Sequence, residues 1–172
     1  RETVDAAPES ELRLYEAAID VLVRLRDHAA AEVAPYDRDV YQREAALLTE
    51  WYCPAVGLDV DIEGYVAAWD VALAPVLDGT PVTVLRDYHA ENLMLIEGSE
   101  TFGLLDFQDA LAGHPAYDLV SLLQDARRDV HPDLEAAMLD RYRRITSADE
   151  AFFDAYHVLG AQRNAKIIGI FT

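Results

Sequence analysis

The sequence predicts one α+β domain that is predominantly helical and carries a small β insertion. Apolar residues recur at helical spacing before residue 80 and again after residue 115. Between these two regions lie three short apolar runs, at 81–85, 93–96 and 102–105. The 172 residues are enough for one domain and too few for two of ordinary size.

Three helices are expected before residue 80. Their predicted spans are 10–32, 39–53 and 61–77. In the first span, apolar residues from Leu12 to Leu22 recur at helical spacing with charged residues between them. Pro54 should end the second helix, and Asp78-Gly79 should close the third.

The β insertion is expected to contain one short hairpin. The run at 81–85 is β-branched and reads as a strand, and the runs at 93–96 and 102–105 should pair as the hairpin. The polar residues 97–100 give the turn between them.

Three further helices are expected after the insertion. The first should cover 116–126, where leucines recur at helical spacing. The next should begin at His131-Pro132, with proline in its first position. Ser147 and Glu150 have the spacing of a capping box and should open the last helix.

Charge and cysteine content exclude several classes of protein. The formal net charge is −18, which repels phosphate backbones and anionic lipids, so neither a nucleic-acid partner nor a membrane partner is expected. Cys53 is the only cysteine, which excludes an internal disulfide, a zinc ribbon and a CxxC redox pair. Because no apolar run approaches 18 residues and no signal-peptide pattern opens the chain, a cytoplasmic location is expected.

Both ends of the chain suggest a piece of a longer protein. The chain opens on Arg1, and it stops at Phe171-Thr172 while an apolar helical pattern is still running. Lys166 is the only lysine, so chemistry that requires a central lysine must come from outside this chain.

Candidate catalytic residues crowd around the β insertion. Asp87 and Asn92 lie five residues apart on a loop, and Asp106 follows the last apolar run of the insertion. A hairpin between these positions would bring Asn92 and Asp106 together. Carboxylate and amide oxygens suit Mg²⁺, and Asp87 would face the same ion, placed to accept a proton from a hydroxyl.

These residues resemble a known family. The spacing from Asp87 to Asn92, followed by Asp106-Phe107, is similar to the catalytic loop and metal-binding Asp-Phe of the protein-kinase-like fold. The histidine two residues after Asp87, His89, is similar to the pattern of the aminoglycoside phosphotransferase/choline kinase branch of this fold. Within it, four segments resemble bacterial anomeric kinases of N-acetylmuramate and N-acetylglucosamine, which serve cell-wall sugar recycling. They are the segments 85–89, 105–110, 117–123 and 160–166.

The resemblance implies roles for the residues that match it. Asp87 would be the catalytic base or the carboxylate that orients the hydroxyl, and His89 would lie near the transferring phosphoryl group. Asn92 and Asp106 would hold Mg²⁺ against the phosphates of ATP. Asp118 would brace the catalytic loop.

Other residues are weaker candidates. Arg86 is assigned to bracing the loop. The candidates for binding the acceptor are Gln108, Asp109, Trp51, Tyr52 and Arg163. Ordinary structural roles compete with these assignments: Asp118 as a helix N-cap, the tryptophans as core residues, and Arg163 as the partner of a carboxylate in an ion pair.

The chain also departs from the pattern. Leu85 stands where the family usually has histidine, and Gln108 stands where a glycine usually follows the Asp-Phe pair. Neither a glycine-rich phosphate loop nor a strand lysine precedes residue 82. Residues 1–172 are therefore interpreted as the catalytic, substrate-binding C-terminal lobe, whose partner would be the nucleotide-clamping N-terminal lobe of the same protein.

Two classes of function remain open at this point. The first is an ATP-dependent kinase that phosphorylates the anomeric hydroxyl of N-acetylmuramate or N-acetylglucosamine, or else an aminoglycoside, choline or homoserine. The second is a non-catalytic, pseudokinase-like binding module. The intact set of Asp87, Asn92 and Asp106 argues against the second class.

Overall fold

The computed structural model describes residues 8–96 and 101–172, and helices make up most of this part. The main elements are α1 (Glu11–Arg26), α2 (Arg38–Leu47), α3 (Ile62–Ala72), β1 (Val82–Val84), β2 (Leu93–Leu95), β3 (Phe102–Leu104), β4 (Leu111–Gly113), α4 (Ala116–Leu123), α5 (Pro132–Thr146) and α6 (Glu150–Ile170). Single turns of 3₁₀-helix cover Pro8–Ser10 and Ala90–Asn92. Among the described residues, no helix is long and apolar enough to cross a bilayer.

Helix α6 is the centre of the domain. It packs against α2 and α4, while α1 packs against α5 and β1. Side chains on several sides of α6 are buried, as expected for a helix enclosed by others. At its end, Gly169 allows α6 to approach α2 closely, because a Cβ at this position would collide with the Leu47 backbone.

The strands form two separate antiparallel pairs. Strand β2 pairs with β3 in the register Leu93 to Leu104, which confirms the predicted hairpin. Its predicted turn at 97–100 lies outside the described residues. Strand β1 pairs with β4 in the register Val82 to Gly113. Strand β4 was not predicted, because Leu-Ala-Gly lacks the β-branched residues that favour strands.

Two of the three helices predicted before residue 80 differ from the prediction at positions that contain proline. Pro54 does not end the second helix: a π-helical turn, Leu48–Tyr52, continues α2 into a further turn, Cys53–Ala55. The wider π turn accommodates a ring that lacks an N–H. The predicted helix at 61–77 is instead divided after Ala72, and Pro75 lies in the first turn of the second piece, Ala74–Leu77.

Other helix boundaries also differ. The helix predicted for 10–32 ends at Arg26, and the helix predicted for 116–126 ends at Leu123. Pro132 occupies the first turn of α5, as predicted.

The predicted capping box at the start of α6 is wrong. The N-cap is Asp149, whose side chain accepts a hydrogen bond of 3.1 Å from the Phe152 amide. Ser147 instead ends α5 in the left-handed conformation, with φ of 53°. Because Ser147 forms the sharp turn between the two helices, Asp149 is the next residue whose side chain can cap α6.

His114 makes the fold sensitive to acid. Burial, together with the nearby Arg26 guanidinium, lowers the pKa of His114 to about 4. Its Nδ1 accepts a 3.2 Å hydrogen bond from the Ala116 amide, which requires an unprotonated nitrogen. The unfolded chain, in which the pKa of this histidine is near 6.5, therefore binds the proton more readily than the folded chain does. This difference acts between pH 6.5 and about pH 4.

We expect His114→Gln to reduce the loss of stability in acid. From pH 7 to pH 5, the His114 proton should lower the wild-type free energy of unfolding by about 2 kcal/mol, and the variant lacks this contribution. Urea unfolding at both pH values measures it, with exposed His28→Gln as the matched control. An equal loss in His114→Gln and wild type would contradict the assignment.

Candidate active site

The loop between β1 and β2 is anchored by a buried carboxylate. Asp118 accepts hydrogen bonds from the backbone amides of Leu85 at 2.7 Å and Arg86 at 2.9 Å. It is the third residue of α4, so the N-cap alternative for Asp118 is wrong. Burial raises the pKa of Asp118 to about 7, although these two hydrogen bonds and the charge of Arg163 oppose the rise.

The same loop is held from two other sides. The Ser121 hydroxyl donates to the Arg86 carbonyl at 3.2 Å, and the buried Tyr88 hydroxyl donates to the Ala18 carbonyl at 2.8 Å. These bonds fix the backbone on both sides of Asp87. The Asp87 side chain is therefore presented from a rigid loop.

Two residues near this loop have backbones in the left-handed region. Arg86 has φ of 70° and Asp106 has φ of 58°. Such a conformation costs a non-glycine residue about 1–3 kcal/mol, and it persists where surrounding contacts impose it. For Arg86 those contacts are the amide and carbonyl bonds to Asp118 and Ser121.

Asn92 connects Asp87 to the hairpin. Its Nδ2 donates to the Asp87 carbonyl at 2.9 Å and lies 3.3 Å from Nε2 of His89. Because the amide nitrogen is engaged, Oδ1 is the atom of Asn92 that remains to bind a ligand. Burial and the charge of Arg127 lower the pKa of His89, which favours its neutral form.

The hairpin brings Asp106 to Asn92. Leu93 is paired with Leu104, and the Leu105 amide donates to the Asn92 carbonyl at 3.0 Å, so Asp106 follows directly after this contact. Asp106 is exposed, and its Oδ1 accepts a 2.7 Å hydrogen bond from Gln108.

The donors at this point are one carboxylate and one amide oxygen. This set fits Mg²⁺, which takes phosphate and water as its other ligands. No group of three His, Cys, Asp or Glu side chains suited to a metal occurs among residues 8–96 and 101–172. A metal held by Asn92 and Asp106 would therefore depend on oxygens from the nucleotide and from water.

A buried carboxylate behind the loop was missed by sequence reasoning. Glu44 on α2 accepts hydrogen bonds from Lys166 at 2.9 Å, from Arg86 at 2.5 Å and from the Tyr36 hydroxyl. Burial alone would raise the pKa of Glu44, but Lys166, Tyr36 and Arg86 together hold it below its usual value. The sequence feature that could have indicated this cluster is that Lys166 is the only lysine of the chain.

Arg163 is buried, as its place in the helical pattern predicts, but it forms no ion pair with a carboxylate among the described residues. Its Nη2 donates to the Ser121 hydroxyl at 3.0 Å, and Nη1 has no hydrogen-bond partner among the described residues. The charge of Arg163 still acts on the nearby carboxylate of Asp118, but its guanidinium hydrogen-bonds to Ser121 instead.

The remaining candidates lie at different distances from the loop. The Asp109 carbonyl accepts a 3.4 Å hydrogen bond from Arg86, while Gln108 contacts Asp106. Trp51 is 61% exposed and Tyr52 is 37% exposed on the π turn, so the alternative of a core role is wrong for Trp51. Neither side chain lines the cavity beside Asp87.

That cavity has a volume of about 110 Å³ and lies between the Asp87 loop and α6. The charged residues in its wall are Arg86, Asp87, Arg127, Arg163 and Lys166. A larger cavity of about 470 Å³ lies elsewhere, against Arg26, His114 and Phe152. The smaller cavity is the one that adjoins Asp87.

Comparison with known proteins identifies the family of the chain. The model of the phosphotransferase enzyme family matches residues 2–156. The chain belongs to the phosphotransferase enzyme family. Membership in this phosphotransferase family confirms the resemblance seen in the catalytic loop and hairpin.

Curated relatives of this phosphotransferase include two bacterial kinases. The N-acetylmuramate/N-acetylglucosamine kinase of Caulobacter vibrioides is 40% identical over 94% of this chain and 50% of the relative. The protein of the same name from Pseudomonas aeruginosa is 38% identical over 92% of this chain and 50% of the relative. The chain spans about half the length of the curated relatives it matches.

A solved structure shows the fold of this phosphotransferase. The crystal structure of an aminoglycoside-3'-phosphotransferase of type VIII matches with a TM-score of 0.61 and 21% identity. The match covers 90% of this chain and 62% of that chain. The predicted fold, a helical lobe of the protein-kinase-like type with a small hairpin, is confirmed.

Proposed function

We propose that the protein transfers the γ-phosphate of ATP to the anomeric hydroxyl of N-acetylmuramate or N-acetylglucosamine, as a step in cell-wall sugar recycling. The observation that carries the proposal is the convergence of Asn92 and Asp106 across the hairpin, beside the fixed loop of Asp87. The names of the relatives support the choice of acceptor. A cytoplasmic location belongs to the same proposal, since the reaction uses ATP.

The chain contributes positioning and proton transfer to this reaction. Asp87 accepts a hydrogen bond from the acceptor hydroxyl, orients its oxygen towards the phosphoryl group and takes up its proton. Oδ1 of Asn92 and the carboxylate of Asp106 would hold Mg²⁺, which neutralises phosphate charge when bound. His89 stands beside Asn92, where its neutral ring fixes the amide in place.

The catalytic loop works without moving in this proposal. Asp118, Ser121 and Tyr88 hold its backbone at three places. Rigid placement keeps the Asp87 carboxylate aligned with the acceptor, which is the main contribution that a protein makes to phosphoryl transfer.

The nucleotide site needs more than this lobe. We place the remaining contacts to ATP on an N-terminal lobe of the same protein. The relatives, which are about twice as long as their matched segments, support this division. Residues 1–172 would then supply the acceptor site and the metal ligands.

A coupled assay of ADP release tests the proposed function. The complete protein is offered Mg·ATP with N-acetylmuramate, N-acetylglucosamine, an aminoglycoside, choline or homoserine. We expect turnover with the two amino sugars and a product phosphorylated at the anomeric carbon by ³¹P NMR. Turnover with only the aminoglycoside would show that the acceptor is an aminoglycoside and not an amino sugar. The absence of turnover with any of these compounds would favour the non-catalytic binding module.

A further inference from the structure

The cavity beside Asp87 concentrates positive charge in an acidic protein. Arg86, Arg127, Arg163 and Lys166 lie in its wall, against the single carboxylate of Asp87. The whole chain contains only 14 lysines and arginines and has a formal net charge of −18. A cationic pocket with partly apolar walls attracts anions strongly, even where the rest of the surface repels them.

Most of the carboxylates near these cations lie behind the wall of the cavity. Glu44 lies behind the wall and accepts from both Lys166 and Arg86, so one negative charge serves two cations. Asp118 lies near Arg163 and also accepts hydrogen bonds from two backbone amides. Four cations and the one carboxylate of Asp87 line the cavity, whereas Glu44, Asp118 and the buried Asp125, which accepts from the Arg127 amide, are not part of its wall.

The buried guanidinium of Arg163 has a hydrogen-bond donor that no described residue satisfies. The residue is 4% exposed, and Nη1 makes no hydrogen bond with any described residue. A buried guanidinium nitrogen without an acceptor is costly, and an anion in the cavity would reduce that cost. The side chains of Lys166 and Arg86, 17% and 22% exposed, remain accessible to the same anion.

The cavity borders Asp87 but neither of the candidate metal ligands. Its other walls come from Tyr117 on α4 and from Ile167 and Ile170 near the end of α6. Neither Asn92 nor Asp106, the candidate metal ligands, contributes to it. An anion bound here would therefore adjoin Asp87 without contacting either candidate metal ligand.

We propose that this cavity binds a carboxylate of the acceptor while Asp87 engages the acceptor hydroxyl. Its volume of about 110 Å³ suits a carboxylate with its neighbouring carbons, at about 30 Å³ per water-sized group. The inference rests on the proposed function: N-acetylmuramate carries a carboxylate, whereas N-acetylglucosamine does not. The cavity would thus select between these two sugars.

Steady-state kinetics with both sugars tests this selection. Lys166→Gln and Arg127→Gln are compared with wild type and with Arg144→Gln, which removes an exposed arginine on α5. We expect each cavity variant to lower kcat/KM for N-acetylmuramate about tenfold more than for N-acetylglucosamine, because a charge-assisted hydrogen bond is lost. Arg144→Gln should leave the ratio of the two values unchanged.

The exposed Arg127 keeps the test valid if Lys166→Gln fails to fold. Equal losses of kcat/KM for both sugars would mean that the cations contact the phosphoryl group or only stabilise the fold. That result would overturn the proposal. If wild type phosphorylates neither sugar, the proposed function fails, and calorimetric titration with each sugar then tests the cavity separately. Stronger binding of N-acetylmuramate that is lost in Arg127→Gln would support the carboxylate site, and binding without such a difference would overturn it.

Discussion

Asp87→Asn should slow phosphoryl transfer by about 10²–10⁴-fold, the range for loss of a positioned acid or base. An amide cannot take up the proton of the acceptor hydroxyl, although it has nearly the same size and can still accept a hydrogen bond. The backbone bonds that fix the loop come from Asp118 and Ser121, so the variant should keep its fold.

The measurement is kcat with N-acetylmuramate at saturating Mg·ATP in the complete protein. Asp129→Asn, which removes an exposed carboxylate outside the site, is the matched control and should keep wild-type turnover. Turnover of Asp87→Asn within a few-fold of wild type would remove the assignment of Asp87 as the base.

Asp118→Ala should lower the free energy of unfolding by about 2–6 kcal/mol, at about 1–3 kcal/mol for each of the two buried amides that lose their acceptor. The change leaves the amides of Leu85 and Arg86 without acceptors and removes a carboxylate that lies near Arg163. The strained Arg86 backbone would lose one of its main restraints.

Urea unfolding at pH 7 measures this loss, and Asp118→Asn is the informative companion. Asparagine keeps one oxygen acceptor but presents an amino group to the other backbone amide, so its loss should be smaller than that of alanine. A loss below about 1 kcal/mol in Asp118→Ala would mean that the hydrogen bonds of Asp118 do not hold the loop.

Local spacing explains which parts of this site could be predicted from the sequence. Asp87, Asn92 and Asp106 lie within 20 residues of one another, and a short hairpin is enough to connect them. The helical spacing around Arg163 also placed this residue inside the domain. Each of these inferences needs only the geometry of one element or one turn.

The parts that were missed depend on contacts between distant segments. Glu44 and Lys166 are 122 residues apart, and only the packing of α6 on α2 brings them together. Instead of forming the predicted ion pair, Arg163 donates to the Ser121 hydroxyl, which lies 42 residues away on α4. Neither fact follows from the periodicity of a single helix.

The division of labour between Asp87 and Asp106 is the central claim, and the dissociation constant of Mg·ATP tests it most directly. It is measured by calorimetry for the complete wild-type protein, Asp87→Asn and Asp106→Asn. Asp106→Asn removes a charged ligand of the metal and should weaken binding at least about tenfold, whereas Asp87→Asn should bind as wild type does. Equal weakening in both variants would place Asp87 on the metal and contradict the account.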